Sequence, residues 1–149
     1  MELIDLFPKE HIFTVKSNEK QLVIKEMIQK LEELGKLKNA DRYYAQVIHR
    51  ESLENTGIGS GFAIPHARTD SVKDLCTVFG ILQEPIDYQS YDNEPVQYVM
   101  LSIFPTSMST KYLYLVGMMA RIFSNKEKRG KIDEARTPAK IYTALNREA

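Results

Sequence analysis

Residues 50–67, with the sequence RESLENTGIGSGFAIPHA, decide how the rest of the chain is interpreted. Three glycines fall within residues 57–61, and glycine adopts tight and positive-φ conformations without steric cost. Residues 62–64 then indicate a short buried strand that leads into Pro65 and His66. Because proline fixes its own φ and restricts the preceding residue to extended geometry, the imidazole is predicted to stand on a stiff segment.

The side chains near His66 in sequence are of the kind that binds anions. They are Arg50, Thr56, Ser60 and Arg68, and the glycines leave backbone N–H groups free to approach the same anion. The loop matches neither of the nucleotide-binding fingerprints GxGxxG and GxxxxGK[ST]. The residues alone therefore leave two interpretations open, a structural histidine and a histidine that handles phosphate, because a glycine-rich loop by itself is weak evidence.

The remaining histidines and the cysteine are predicted to have no role in chemistry. His11 and His49 are predicted to be structural or surface residues, because most lone histidines are. No pair of histidines, or histidine with Cys76, has a local metal-ligand spacing, so we expect no metal site. Cys76 stands at the head of an apolar run and is predicted to be a small buried hydrophobe rather than a reactive thiol.

Composition indicates one globular domain in 149 residues, of which 43% are hydrophobic and 27% charged. Twenty basic residues balance twenty acidic ones, which argues against nucleic acid and in favour of proteins or small anions as partners. No basic segment leads into a long apolar stretch at the N-terminus, and the apolar runs are shorter than the ~20 residues of a membrane span. We therefore expect a cytoplasmic protein.

Hydrophobic periodicity predicts alternating strands and helices. Apolar residues at i, i+3, i+4 and i+7 mark a helix after a cap at Ser17 or Asn18, and that helix stops at Gly35. The other predicted elements are a strand at 12–15, a helix from about 39–41 to 51–52, central strands at 77–82 and 96–104, turns at 84–85 and 92–95, an apolar helix at 112–123 and a helix that starts at 137–138. The prediction is an α/β fold with a mixed β-sheet flanked by helices on both faces. The apolar helix is either core or an interface in a homo-oligomer.

The stretch at residues 50–67 resembles the signature of the fructose/mannitol-type enzyme IIA family of the bacterial sugar phosphotransferase system, which includes the nitrogen-regulatory IIA proteins. The family pattern runs approximately RE-x-x-x-x-TGIG-x-G-x-AIPHA, and the resemblance extends more weakly over the whole chain. It implies one IIA domain over residues 1–149, a mixed sheet flanked by helices, and the activity of a phosphotransferase component that needs no cofactor or metal.

The resemblance also implies roles for individual residues. His66 matches the phosphorylated histidine, Arg50 an arginine beside it that stabilises the phosphoryl group, and Thr56 the loop threonine. In the family, the phosphoryl group arrives from the phosphocarrier HPr and leaves to a cysteine of enzyme IIB, from which it reaches a sugar entering through the membrane component IIC. Ser109 or Thr110, at a predicted helix start, can add a further contact, and Arg68 is either a contact or an exposed rim charge.

Tyr112 departs from the family pattern. Members of the best-known type carry a second histidine there, in a P-x6-H-L arrangement that begins here at Pro105. A tyrosine can donate a hydrogen bond but cannot become a cation near neutral pH. Tyr112 is therefore a neutral donor in a working carrier, a sign of a site tuned toward regulation, or a packing residue. The function that the resemblance implies is a phosphocarrier for sugar uptake, and the alternatives are a nitrogen-type regulatory protein and a non-catalytic binding module.

Overall fold

The computed structural model describes residues 2–149, except for the side chain of Ile4, and its centre is a mixed β-sheet. The described strands are β1 (Ile12–Val15), β2 (Gly57–Gly59), β3 (Phe62–Ala63), β4 (His66–Arg68), β5 (Cys76–Ile86) and β6 (Val96–Phe104). The sheet order is β1-β5-β6-β3-β2, and β4 follows β3 along the same edge of β6. The pair β5–β6 is antiparallel, whereas β1 is parallel to β5, and both β3 and β4 are parallel to β6.

Helices cover both faces of this sheet, as predicted. The α-helices are α1 (Lys20–Glu33), α2 (Ala40–Leu53), α3 (Ser109–Ser124), α4 (Lys126–Ala135) and α5 (Pro138–Glu148). Short 3-10 helices lie at Leu3–Asp5, Lys9–His11 and Thr106–Met108. The apolar residues of α1 and α2 form one core cluster with one face of the sheet, and those of α3, α4 and α5 form a second cluster with the other face. Among the described residues, no helix is both long enough and apolar enough to cross a membrane.

The periodic residues of α1 are buried as expected, and Gly35 ends the helix with a φ of 73°. The predicted cap is wrong. The helix begins at Lys20 with Glu19 as its N-cap, and Ser17 instead donates from its backbone N and its Oγ to Glu26 Oε1, at 3.0 and 2.7 Å. A capping side chain belongs to the residue immediately before the helix, and Ser17 lies three positions before it. The N–H and the hydroxyl of Ser17 pair with the carboxylate of Glu26 instead.

Two further features differ from the sequence prediction, a predicted turn and a helix. Glu84 and Pro85, predicted to form a turn, lie inside β5 at a point where its register with β6 shifts between Ile81 and Ile86. Proline has no N–H to donate, so an interrupted stretch of ladder is the place where a strand tolerates it. The helix α4 was not predicted at all: Ile132 is its buried residue, and one apolar position creates no helical period.

Candidate functional site

His66 is the first residue of β4, and hydrogen bonds fix the two residues that precede it. It lies opposite Ser102 of β6 in the register of the sheet. The Ser102 N–H donates to the carbonyl of Pro65 at 3.2 Å, and the Ile64 N–H donates to the carbonyl of Thr56 at 3.0 Å. The predicted stiff segment is therefore present, and it consists of a short strand rather than a free loop.

The ring of His66 has a defined tautomer. Its Nδ1 atom lies 2.9 Å from the carbonyl oxygen of Ile64. A carbonyl oxygen can only accept a hydrogen bond, so Nδ1 carries the hydrogen and Nε2 keeps its lone pair. Burial lowers the pKa of His66, and the charge of Arg50 lowers it further, against opposing contributions from the Ile64 hydrogen bond and Glu51. The ring is thus a neutral imidazole with one nucleophilic nitrogen.

A cavity of about 690 Å³ opens beside this ring, between α2 and the first turn of α3. Cationic or hydrogen-bonding side chains from three elements line it, and two exposed leucines stand at its rim. The polar lining includes His49, Arg50, Arg68, Thr69, Ser109 and Tyr112, and the leucines are Leu53 and Leu113, which are 69% and 65% exposed. The arrangement suits a small anion on His66 that is reached by a partner with an apolar surface.

Arg50 lies in the last turn of α2 and lines the cavity as predicted. Its Nη1 atom donates to the carbonyl of Glu54 at 2.9 Å, which fixes part of the guanidinium and leaves its other N–H groups for an anion. Arg68 also lines the cavity, but it is exposed, in keeping with a rim charge. Two cations therefore flank the ring at different depths.

Tyr112 meets the same cavity from α3. Its ring stacks on Phe104 at 4.2 Å between centroids and lies 5.2 Å from the ring of His66. Its hydroxyl is buried and has no hydrogen-bond partner within residues 2–149. Burial also raises the pKa of this hydroxyl, so it stays a neutral donor. A buried donor without an acceptor is suited to pair with an oxygen of a group bound in the cavity.

The structure does not bring Thr56 to this cavity. Its hydroxyl is buried and hydrogen-bonded to Glu51, and it lies 3.1 Å from the hydroxyl of Tyr88. The side chain is therefore occupied beneath the site, and the connection of Thr56 to His66 runs through its backbone carbonyl and Ile64. The sequence pattern puts Thr56 close to His66 along the chain without showing which part of the residue connects to it.

The glycine-rich loop also lies away from the cavity, contrary to the expectation that its N–H groups reach the anion. It forms the β2–β3 hairpin, with positive φ at Gly59, Ser60 and Gly61. The Gly57 N–H donates to Asn55 Oδ1 at 2.7 Å and the Ser60 N–H to Asp92 Oδ2 at 3.0 Å. The glycines thus serve a tight turn that leads the chain into β3 and onward to His66.

The remaining candidate residues divide into those that line the cavity and those that do not. Ser109 lines the cavity from the first turn of α3, whereas Thr110 is exposed and lies outside the lining. His11 is buried, with Nδ1 2.7 Å from the carbonyl of Thr77, as expected of a structural histidine. His49 is an exposed residue, as predicted, but it lines the cavity, which its place beside Arg50 could have suggested. In the described part of the chain, no cluster of His, Cys, Asp or Glu is arranged to hold a metal ion.

Comparison with known proteins gives a consistent result. Residues 5–148 match the family described as "Phosphoenolpyruvate-dependent sugar phosphotransferase system, EIIA 2". The chain is 32% identical over 147 residues to the fructose-specific EIIABC component of Bacillus subtilis; these residues are 98% of this chain and 23% of that protein. It is 30% identical over 146 residues to a nitrogen regulatory protein of Bradyrhizobium diazoefficiens, with 97% of this chain and 95% of that protein covered.

Two solved structures show the same fold. The nitrogen regulatory protein IIA-Ntr of Neisseria meningitidis superposes with a TM-score of 0.84 at 25% identity, over 96% of this chain and 99% of that one. The mannitol enzyme IIA of Escherichia coli, solved in complex with phosphorylated mannitol enzyme IIB, gives a TM-score of 0.76 at 17% identity, over 93% of this chain and 96% of that one.

Proposed function

The chain belongs to the EIIA 2 family of the phosphoenolpyruvate-dependent sugar phosphotransferase system, and we propose that it carries a phosphoryl group on Nε2 of His66. In this role it accepts the group from phospho-HPr and passes it to a cysteine of an enzyme IIB for sugar uptake. Residues 1–149 act as one IIA domain, and the reaction takes place in the cytoplasm, beside these partners.

The observation that carries this proposal is the 2.9 Å contact between His66 Nδ1 and the carbonyl of Ile64. With the hydrogen held on Nδ1, the lone pair of Nε2 attacks the phosphorus of phospho-HPr as its P–N bond breaks, and the electron pair of that bond returns to the donor histidine. The second transfer repeats the exchange: a cysteine thiolate of IIB attacks the phosphorus, and the broken P–N bond returns its electron pair to Nε2 of His66. Neither step needs a metal or a nucleotide.

Groups around the cavity would stabilise the transferred charge. Phosphoryl transfer passes through a loose in-line transition state, in which a protein mainly positions the reactants and stabilises charge on the equatorial oxygens. Arg50 supplies a cation beside His66, and the unpartnered Tyr112 hydroxyl supplies a neutral donor. Ser109 lies at the N-terminal turn of α3, where the helix dipole favours an anion.

The cavity rim supports protein partners rather than a free sugar. Leu53 and Leu113 are large, exposed apolar residues on the two helices that enclose His66. A donor or acceptor protein that covers them would exclude water from the phosphohistidine. The mannitol enzyme IIA of similar fold has been solved with its phosphorylated IIB, which favours an equivalent IIB partner here, and through it an indirect link to a membrane IIC component.

A regulatory role is the second candidate. The identity to a nitrogen regulatory protein is close to that to a fructose-specific component, 30% against 32%. In addition, Tyr112 supplies no positive charge to the bound phosphoryl group. In this role the chain would still be phosphorylated on His66, but its phosphorylation state would control partner proteins. A non-catalytic binding module is disfavoured by the intact pair of His66 and Arg50.

The test is phosphorylation with phosphoenolpyruvate, enzyme I and HPr, followed by detection of acid-labile, base-stable phosphate. The wild type should become labelled and His66→Ala should not. His11→Asn is the matched control: it removes a histidine that does not line the cavity and leaves an amide N–H for the carbonyl of Thr77. Absence of label on the folded wild type would refute the carrier proposal. Transfer onward to purified IIB domains supports transport, whereas label that no IIB domain removes supports regulation.

A further inference from the structure

We propose that Glu51 is a positioning residue for His66, acting through Thr56 and Ile64 without touching the phosphoryl group. Glu51 follows Arg50 on α2, but its side chain points to the protein interior and is buried. Its role rests on the proposed function of His66 and adds to it a residue that selects the attacking nitrogen.

Four donors converge on the two oxygens of Glu51. Oε1 accepts from the hydroxyl of Thr56 and from that of Tyr88, the latter at 2.8 Å. Oε2 accepts from the Thr56 N–H at 3.2 Å and pairs with Lys20 Nζ at 3.0 Å. Such a set is what a buried carboxylate requires to offset the loss of water. Because two of the four donors belong to Thr56, the carboxylate clamps that residue at both its backbone and its side chain.

The clamped residue is connected to His66 by two consecutive hydrogen bonds. The carbonyl of Thr56 accepts from the Ile64 N–H at 3.0 Å, and the carbonyl of Ile64 accepts from His66 Nδ1 at 2.9 Å. The two bonds use the N–H and the carbonyl of the same residue, so the position of Ile64 depends on Thr56, and the direction of the Ile64 carbonyl decides which ring nitrogen bears hydrogen. A displacement of about 1 Å near a reacting centre can slow the reaction by about 100-fold.

Replacing Glu51 by glutamine or by alanine distinguishes the effect of its hydrogen bonds to Thr56 from the effect of its negative charge. Glutamine keeps one oxygen, which can stay opposite the Thr56 N–H while the amide nitrogen donates to the two hydroxyls; only the charge beside Lys20 is lost. Alanine removes the clamp entirely. Aspartate keeps the charge but withdraws the carboxylate by one methylene group, so it tests the clamp in a form whose ion pair with Lys20 can persist.

The experiment compares Glu51→Ala, Glu51→Asp and Glu51→Gln with a matched control, Asp133→Ala. Asp133 also accepts from a tyrosine hydroxyl, that of Tyr98 at 2.7 Å, and pairs with a cation, Arg129. Three quantities are measured on each full-length variant: the free energy of unfolding in urea, the tautomer of His66 from ring ¹⁵N chemical shifts, and the initial rate of phosphorylation by phospho-HPr.

We expect the alanine and aspartate variants to show both neutral tautomers of His66 and to be phosphorylated about 10- to 100-fold more slowly than the wild type. The glutamine variant should keep the Nδ1–H tautomer, and Asp133→Ala should keep both the tautomer and the rate. If Glu51→Ala does not fold, the aspartate variant decides. A wild-type tautomer and rate in the folded alanine or aspartate variant would overturn the role of Glu51, and so would equal slowing in Asp133→Ala. If even the wild type takes no label, the carrier function fails, while the ¹⁵N shifts still report whether Glu51 orients His66.

Discussion

Replacement of Tyr112 by phenylalanine should stabilise the unphosphorylated protein and weaken its hold on the phosphoryl group. The Tyr112 hydroxyl is buried and finds no hydrogen-bond partner in the described residues, and the ring lies 5.2 Å from that of His66. Phenylalanine keeps the stacking on Phe104 and removes only the oxygen. The effects on the two states have opposite signs because the Tyr112 hydroxyl lacks a partner in the unphosphorylated protein and gains a phosphoryl oxygen as its acceptor in the phosphorylated protein.

The magnitudes follow from the cost of an unmade hydrogen bond and the strength of a charged one. A buried polar group without a partner destabilises a protein by about 1–3 kcal/mol, so Tyr112→Phe should raise the free energy of unfolding by up to that amount. A hydrogen bond to a charged group is worth about 1.5–3 kcal/mol. At about 1.4 kcal/mol per factor of ten, the loss of this bond alone should shift the phosphoryl equilibrium toward HPr by roughly 10- to 150-fold, and the relief of the unpaired hydroxyl in the unphosphorylated state adds to the shift in the same direction.

Tyr142→Phe provides a matched control. The hydroxyl of Tyr142, on α5, is also buried without a partner in the described chain, but Tyr142 does not line the His66 cavity. Both variants should therefore gain stability in urea denaturation, and only Tyr112→Phe should change the equilibrium measured between labelled HPr and labelled protein. An unchanged equilibrium in Tyr112→Phe, or a loss of stability with no change in phosphorylation, would show that Tyr112 is a packing residue and refute this reasoning.

Other predictions concern the charge and surface of the site. Because burial lowers the pKa of His66, the decline in the rate of phosphorylation at acidic pH should have its midpoint below the ordinary histidine value of about 6.5; a midpoint above that value would contradict this. Arg50→Gln should raise the pKa of His66, measured by NMR titration, and slow phosphorylation by about 100-fold. Leu53→Asp with Leu113→Asp should slow transfer from HPr while changing the free energy of unfolding by less than about 1 kcal/mol, since both residues are exposed. Burial lowers the pKa of His11, so below about pH 6.5 the unfolded chain binds a proton more readily than the folded chain does, and the free energy of unfolding falls. Urea denaturation at two pH values should show a smaller fall in the free energy of unfolding for His11→Asn than for the wild type.

The parts of the fold that the sequence predicts are those encoded by local patterns. The apolar residues of α1 recur at helical spacing, and Thr137 with Pro138 marks the start of α5, where the Thr137 side chain accepts from the Lys140 N–H. The presentation of His66 is local too, because Pro65 acts on its immediate neighbours. For such features, tertiary contacts stabilise a conformation that the segment already favours.

The errors occur where contacts distant in sequence decide the outcome. The glycine-rich loop could equally have faced the anion; the contact of Ser60 with Asp92, 32 residues away, turns it elsewhere. Thr56 does not line the cavity; its pairing with Glu51 and with Tyr88, 32 residues away, makes it part of the support beneath His66. Residue type and spacing indicate which groups can bind an anion, whereas only the tertiary fold determines which of them face it.

The supporting groups and the lining groups act on different properties of His66, and this bears on the choice between transport and regulation. The chain of contacts from Glu51 through Thr56 and Ile64 determines whether Nε2 can attack, a property that both roles need. Arg50 and Tyr112 line the cavity, so in the proposed function they would determine how strongly the phosphoryl group is held. A tyrosine donates one hydrogen bond and no charge, so in the proposed function the presence of tyrosine in place of a histidine at residue 112 would change the stability of the phosphorylated state while leaving the attacking nitrogen intact. Transport and regulation should therefore differ in the lifetime of phospho-His66 and in its transfer to IIB, rather than in whether His66 accepts the group from HPr.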